Sequence, residues 1–462
     1  MRIEIPYGRE EVTVFISDES LGEMVYPNEV EIKDERETLG YALNNPVASK
    51  SFTEFLKDAK DVLFIVNDAT RPTPTAKVLD IIYHQIKDKN IKFIVATGVH
   101  RAPTEEEYLE IFGDLHDELK DRIYCHDARK EEDMVHIGTS KNGTEMWVNR
   151  MGVEAHKIVI IGSVEPHYFA GYTGGRKSFL PGIASYKTIE QNHKHALKSS
   201  ASALALEGNP VHEDMEDAIQ TIKDKEIFSI MTVLDRDERI YAAIAGDISE
   251  SFKSAIPKAH EVFSVEIKEK ADIVVAVATY PMDIDLYQSQ KALDNAKLAL
   301  NDNGILILVS RCRKGVGDET FVDLLSSSRD PQDALDKIDR GYKLGYHKAA
   351  KIAEIARWAQ MWAVTGIEPN LLKSIFIKPV STIQEAINSA LEEKGREKIL
   401  FMMNASLTVP KLRKRLIHRT KKFIYTIRWE KEFTTTLFED IDKIPAEKKE
   451  EEEILASLLE SR

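Results

Sequence analysis

Residues 61–100 read DVLFIVNDATRPTPTAKVLDIIYHQIKDKNIKFIVATGVH, and this stretch decides the fold class. A Val/Ile-rich run, DVLFIVND, leads into TAKVLDIIYHQI, whose apolar residues recur at three- and four-residue intervals, and then into a second such run, IKFIVATG. Buried strand, amphipathic helix and buried strand in that order make a βαβ unit, which calls for a parallel sheet covered by helices. Outward from it, VTVFIS (from Val12) and KIVIIGS (from Lys157) repeat the strand pattern, and HIGTSKNGTEMWVN sets Asn142-Gly143 between alternating residues, a hairpin signal. After the charged EIKEKAD comes a second series: IVVAVATY, a helical stretch from Tyr287, GILILVS, SIFIKPV and KILFMMNAS, with HKAAKIAEIARWAQMWAV read as one long helix. The expected architecture is α/β with two domains, residues 1–269 and 270–410. Each is a mainly parallel sheet flanked by helices, with the active site in the cleft between them. Residues 411–462, basic at KLRKRLIHRTKK and acidic at PAEKKEEEEILASLLESR, are expected to form a charged helical tail.

The 462 residues suffice for two cores, and 43% hydrophobic with 30% charged residues is ordinary globular composition. A net charge of -14 opposes binding to a phosphate backbone, so nucleic acid is not an expected partner. A small anion is still permitted, because a few buried cations set the potential inside a cleft. Cys125 and Cys312 stand far apart without CxxC spacing, which excludes a disulfide framework and a thiolate zinc site. MRIEIPYGRE has no apolar signal region and no stretch reaches bilayer length, so a cytoplasmic protein without a membrane partner is expected.

In α/β sheets ligands gather beyond the carboxyl ends of the strands. Three such places are polar: Asp68-Ala69-Thr70-Arg71-Pro72, Thr97-Gly98-Val99-His100-Arg101, and the long segment SVEPHYFAGYTGGRKSFLPGIASYKTIEQNH from Ser163 to His193. The last has little periodicity and reads as a long loop that buries little, so its length hints at function. Within it GYTGGRKS approaches a phosphate-binding loop, but Arg176 takes the place of the last glycine and the stretch begins well after its strand ends. Backbone N–H groups of Gly171, Gly174 and Gly175 would still be able to cradle a cofactor phosphate.

Together, DATRPTP, ATGVHRAPTEEE, EPHYFAGYTGGRKSFLPGIASYKTIEQNH and the group Tyr287-Gln288 with Lys291 resemble the signature segments of the nickel-dependent lactate racemase family. The resemblance covers roughly the first 400 residues. It implies nickel held in a pincer nucleotide, pyridinium-3,5-bisthiocarboxylic acid mononucleotide, joined covalently to Lys177, with His193 completing the metal coordination. It implies His100 and His167 as general bases, one for each enantiomer, poised as imidazoles are near neutral pH. Asp68, Thr70 and Arg71 match the cofactor- and substrate-contacting turn, Arg71 clamping either substrate carboxylate or cofactor phosphate. Gln288 and Lys291, three residues apart on one helix face, match substrate-binding positions. His116 and His126 fall outside the motifs and read as structural. Trp358 and Trp362 compete for the place of a tryptophan over the substrate.

The implied activity is racemisation or epimerisation of a 2-hydroxy acid, lactate or a relative, by reversible hydride transfer. The implied partners are that small acid and the cofactor-synthesis enzymes. Three alternatives stand beside it: a sugar-acid or malate epimerase with the same cofactor, a nucleotide-dependent enzyme built on GYTGGRKS, and a carrier of nickel or its cofactor.

Overall fold

A computed structural model describes residues 1–395, 397–413, 423–429 and 432–438. Asp61–Asn67 and Asn90–Ala96 pair in parallel across the helix Thr75–Ile86, as the opening stretch requires. They are central strands of a six-stranded sheet whose order is Ile240–Gly246, Glu226–Leu234, Lys157–Ser163, Asp61–Asn67, Asn90–Ala96, Ile123–Cys125. Only the first pair is antiparallel. Alternate side chains of one strand feed opposite cores: Leu63 and Ile65 pack on one face, Val62, Phe64 and Val66 on the other. Burial on both faces is why these strands read as unbroken apolar runs.

A second six-stranded sheet is parallel throughout, in the order Ile377–Pro379, Gln360–Val364, Leu300–Val309, Ala271–Val277, Ile399–Met402, Leu21–Val25. It therefore takes one strand from the chain's first thirty residues, and residues 1–412 form one compact unit. Residues 413–462 form another, in which Phe423–Trp429 and Glu432–Phe438 pair as antiparallel strands where a helical tail was expected. The acidic stretch from Pro445 lies outside the described residues.

Two further expectations are corrected. VTVFIS is not a sheet strand of a βαβ unit: Glu10–Phe15 pairs antiparallel with Arg2–Tyr7, a connection too short to cross over, and this hairpin covers one face of the second sheet through Ile3, Ile5 and Val14. HKAAKIAEIARWAQMWAV is not one helix: the helix is Tyr346–Ala356, and Gln360–Val364 is a buried strand. Both pieces are apolar, so periodicity alone ran them together. Met134–Thr139 and Glu145–Asn149 form the hairpin signalled by Asn142-Gly143. Trp362 is fully buried in the core beneath the N-terminal hairpin, with the Lys378 ammonium 3.6 Å from its ring centroid. Trp362→Ala should accordingly cost about 3–5 kcal/mol in guanidinium unfolding. A loss below about 1 kcal/mol would mean that the hairpin does not depend on this side chain.

Candidate active site

The carboxyl ends of three adjacent strands converge. Asp68 to Arg71 follow Asp61–Asn67, Thr97 to His100 follow Asn90–Ala96, and Val164 to His167 follow Lys157–Ser163. Asp68 closes a tight turn, its Oδ1 accepting from the Thr70 N–H at 3.2 Å and hydroxyl at 2.7 Å. Its other oxygen, Oδ2, lies 2.8 Å from His100 Nδ1. Burial alone would raise the Asp68 carboxyl, but His100 and Thr70 outweigh it and hold Asp68 below the usual carboxylate range. An ionised carboxylate only accepts, so His100 carries its hydrogen on Nδ1 and leaves the Nε2 lone pair free. That lone pair meets the amide nitrogen of Gln288 at 3.1 Å, while Lys291 donates to the Gln288 oxygen at 2.6 Å.

The segment from Ser163 to His193 is not a loop that buries little. Every residue from Gly162 to Leu180 is buried, and Tyr168, Phe169, Tyr172, Phe179, Leu180 and Ile183 belong to a hydrophobic core. Such packing needs close backbone approach: a Cβ on Gly171 would sit 2.1 Å from the Ala205 carbonyl oxygen, and its φ is +77°. The phosphate-loop resemblance also dissolves. Gly175–Ser178 is a single 3-10 turn rather than the start of an α-helix, and the Gly175 N–H points to Met231 Sδ. Arg176 is buried with its guanidinium on the carbonyls of Ala170, Tyr172 and Gly174. It holds the segment together and is not turned to a ligand.

Arg71, His100, His167, Lys177, His193, Gln288 and Lys291 line one small cavity, and a wider groove beside it takes in Asp68, Thr70 and again His100. Every residue expected at the site is thus brought together. Gln288 and Lys291 arrive on the helix Leu286–Ala296, capped by Asp285 accepting from the Gln288 N–H. Sequence reasoning missed Lys348, on the helix Tyr346–Ala356, whose Nζ donates to the Tyr287 carbonyl at 2.6 Å and lies over the rings of Tyr168 and Tyr287. Its signal was weak: a lysine within HKAAKIAEIA looks like any polar helix face. Neither Trp358 nor Trp362 reaches the cavity, and its aromatic walls are Tyr168, Phe169 and Tyr287. His126 donates from Nε2 to the Ala184 carbonyl and His116 packs on Tyr108, both structural as read.

Among the described residues none of Arg71, Lys177, Lys291 and Lys348 forms an ion pair with a carboxylate, and such charge out of water is costly. Burial, reinforced by Arg71 and Arg176, pushes the Lys177 amine well below the usual lysine range. Burial with Arg71 and Lys348 does the same to Lys291. Lys348 falls to about 7 through burial, against the pull of Asp294 and Asp285. His167 and His193 are held well below the usual histidine range by burial and these cations.

His193 Nδ1 donates to Asn192 Oδ1 at 3.2 Å, and the Asn192 amide nitrogen is fixed by Asp214 at 2.8 Å. This leaves the His193 Nε2 lone pair unused, the form in which imidazole binds a metal. Among the described residues no three His, Cys, Asp or Glu side chains gather as a metal site. A metal here would rest chiefly on donors brought with a cofactor, with His193 as its protein ligand and the buried amine of Lys177 available for a covalent link.

Comparison with known proteins agrees with this geometry. Residues 7–205 match the lactate racemase N-terminal domain and residues 266–409 the lactate racemase C-terminal domain. Lactate racemase of Thermoanaerobacterium thermosaccharolyticum is 34% identical over 345 residues, covering 73% of this chain and 80% of that protein. Lactate racemase of Lactiplantibacillus plantarum is 32% identical over 416 residues, covering 85% and 96%. The solved lactate racemase apoprotein of Thermoanaerobacterium thermosaccharolyticum superposes with a TM-score of 0.80 at 31% identity, covering 89% of this chain and 100% of that one. A Thermotoga maritima protein at 17% identity, with a TM-score of 0.64 and coverage of 82% and 98%, shares the fold. Since residues from both matched regions line the one cavity, the chain belongs to the lactate racemase family and is an isomerase of the racemase type.

Proposed function

We propose that the enzyme inverts the carbinol carbon of a 2-hydroxy acid, lactate or a close relative, with a nickel-pincer nucleotide joined to Lys177. The observation that carries this reading is one cavity in which basic side chains with no carboxylate partner among the described residues meet two histidines, a buried lysine amine pushed well below the usual lysine range and an imidazole with a free Nε2 lone pair. The residues fit the group: Lys177 would form the covalent link, His193 would bind nickel, and Lys348 would meet its phosphate.

Taking the C–H beside a carboxylate as a proton would build a doubly charged enediolate. When bound, the cofactor's electron-poor pyridinium supplies a hydride acceptor, which avoids that charge. The chain's own residues do the rest. The Arg71 guanidinium grips the substrate carboxylate, a role that suits a cation with no carboxylate partner among the described residues, and the Lys291 amine donates to it. His100, with its lone pair on Nε2 facing Gln288 and Asp68 behind Nδ1, takes the hydroxyl proton, and Asp68 stabilises the imidazolium that forms. His167 is the second nitrogen base at the cavity wall, serving the opposite enantiomer. The buried aromatic walls keep water from the planar keto acid. A carrier of nickel would have no need of the Asp68–His100 pair.

The test is chiral chromatography of D- and L-lactate incubated with protein produced alongside the cofactor-synthesis enzymes. Interconversion of the two is expected, Lys177→Ala should be inactive, and His100→Ala should keep its nickel yet lose inversion. An active Lys177→Ala enzyme would contradict the covalent cofactor. A second expectation concerns Asp68→Asn, whose amide can turn its N–H toward His100 and move the imidazole hydrogen to Nε2. Inversion should fall about 10²–10⁴-fold at unchanged nickel content, and an unaltered rate would show that Asp68 does not set the tautomer.

A further inference from the structure

We infer that the preferred substrate is a 2-hydroxy acid whose hydroxylated chain runs out of the cavity into the adjoining groove, that is, a sugar acid epimerised at C2. The inference rests on the hydroxy-acid reading above and names the substrate class of that same site.

Position decides where such a chain lies. The residues read as holding the cofactor, Lys177, His193 and Lys348, line the cavity and not the groove, and so do Arg71 and Lys291, which meet the carboxylate. The two spaces share only Val99, His100, Tyr287 and Gln288, so His100 stands on their common rim. Buried Tyr168 and Phe169 wall the cavity on its inner side. A C2 substituent longer than a methyl group therefore leaves past that rim. The groove holds about 430 Å³. A methyl group, about the size of one water at roughly 30 Å³, would leave nearly all of it to solvent.

Both walls of the groove are fixed. On one side three backbone hydrogen bonds tie residues 314–316 to 284–287, from the Lys314 N–H to Ile284, the Leu286 N–H to Gly315 and the Tyr287 N–H to Val316. Gly317, at φ +84°, lets this segment close on Asp285: a Cβ there would sit 2.6 Å from the Asp285 carboxyl carbon. On the other side the Arg101 guanidinium forks onto Glu107 at 2.6 and 2.7 Å, and Glu107 also accepts from the Thr104 N–H.

The polar groups that remain suit hydroxyls. Asp285 and Asp318 each use one oxygen to cap a helix, accepting from the Gln288 and Thr320 N–H groups at 2.8 Å, and the other oxygen has no partner among the described residues. Lys314 is exposed, and its ammonium likewise has no partner among the described residues. Two acceptors and one donor match vicinal hydroxyls, each of which both donates and accepts. A second carboxylate would meet one cation and two carboxylates, because Arg101 is already neutralised by Glu107. An alkyl chain would displace water from these groups without replacing its hydrogen bonds. The chemistry at C2 is the one proposed above: the C–H and O–H bonds are each broken and re-formed, so the product is the C2 epimer and no atom is gained or lost.

The test is kcat/KM of the nickel-loaded full chain for D-gluconate, malate and lactate, with the C2 epimers separated by chromatography. D-Gluconate should be turned over at least about tenfold more efficiently than either of the others. Lys314→Met, and Asp318→Asn with its helix cap retained, should each lower kcat/KM for D-gluconate relative to that for lactate by about three- to tenfold. If lactate or malate is preferred, the inference fails while the hydroxy-acid reading stands. A D-gluconate-to-lactate ratio untouched by both substitutions overturns it too, since the chain would then lie elsewhere. If none of the three acids is turned over while a known lactate racemase works under the same conditions, the hydroxy-acid reading falls as well.

Discussion

A cluster of basic side chains without carboxylate partners is the constraint on which this structure turns. Arg71, Lys177, Lys291 and Lys348 surround one cavity, and among the described residues none has a carboxylate partner. A protein can relieve such a strain in two ways: a group gives up its proton, or an anion is bound. Both are visible. Burial pushes the Lys177 and Lys291 amines well below the usual lysine range, which favours the form a covalent link at Lys177 needs, and Arg71 is left to meet carboxylate or phosphate. The same field, with burial, holds His167 and His193 well below the usual histidine range, which favours the uncharged imidazole over the imidazolium.

Holding that arrangement requires a rigid wall, and the segment Ser163 to His193 supplies it. Its buried aromatic residues pack as core, and Arg176 ties three of its carbonyls together from within. A glycine at 171 allows the backbone approach that any larger residue would block. The buried Asp214 continues the support one step outward, receiving the hydroxyls of Ser140 and Thr144 and the amide of Asn192, which in turn fixes His193. Precision at the ligand positions therefore comes from packing and hydrogen bonds on residues that no ligand touches.

The parts of this design that were legible in the sequence are those with a period or a motif. Strands buried on both faces show as Val/Ile runs, and the chemistry lies just past their carboxyl ends, so Asp68, His100 and His167 stood where the sheet would put them. The burial of the 163–193 segment was not legible, because a wall packed without helical or strand periodicity looks like a loop. Lys348 was hidden for a related reason: on an alanine-rich helix nothing in the spacing tells an inward lysine from an outward one. The border between helix Tyr346–Ala356 and strand Gln360–Val364 was lost because both sides are apolar. The hairpin at the N-terminus was mistaken for a sheet strand since alternation does not reveal a partner.

The central claim is that the buried amine of Lys177 exists to carry a metal-bearing cofactor. Intact mass and peptide mapping, with nickel analysis, on protein produced together with the cofactor-synthesis enzymes tests it most directly. The account predicts a nickel-containing adduct at Lys177. Unmodified, nickel-free protein, obtained while a known lactate racemase loads normally under the same conditions, would contradict it.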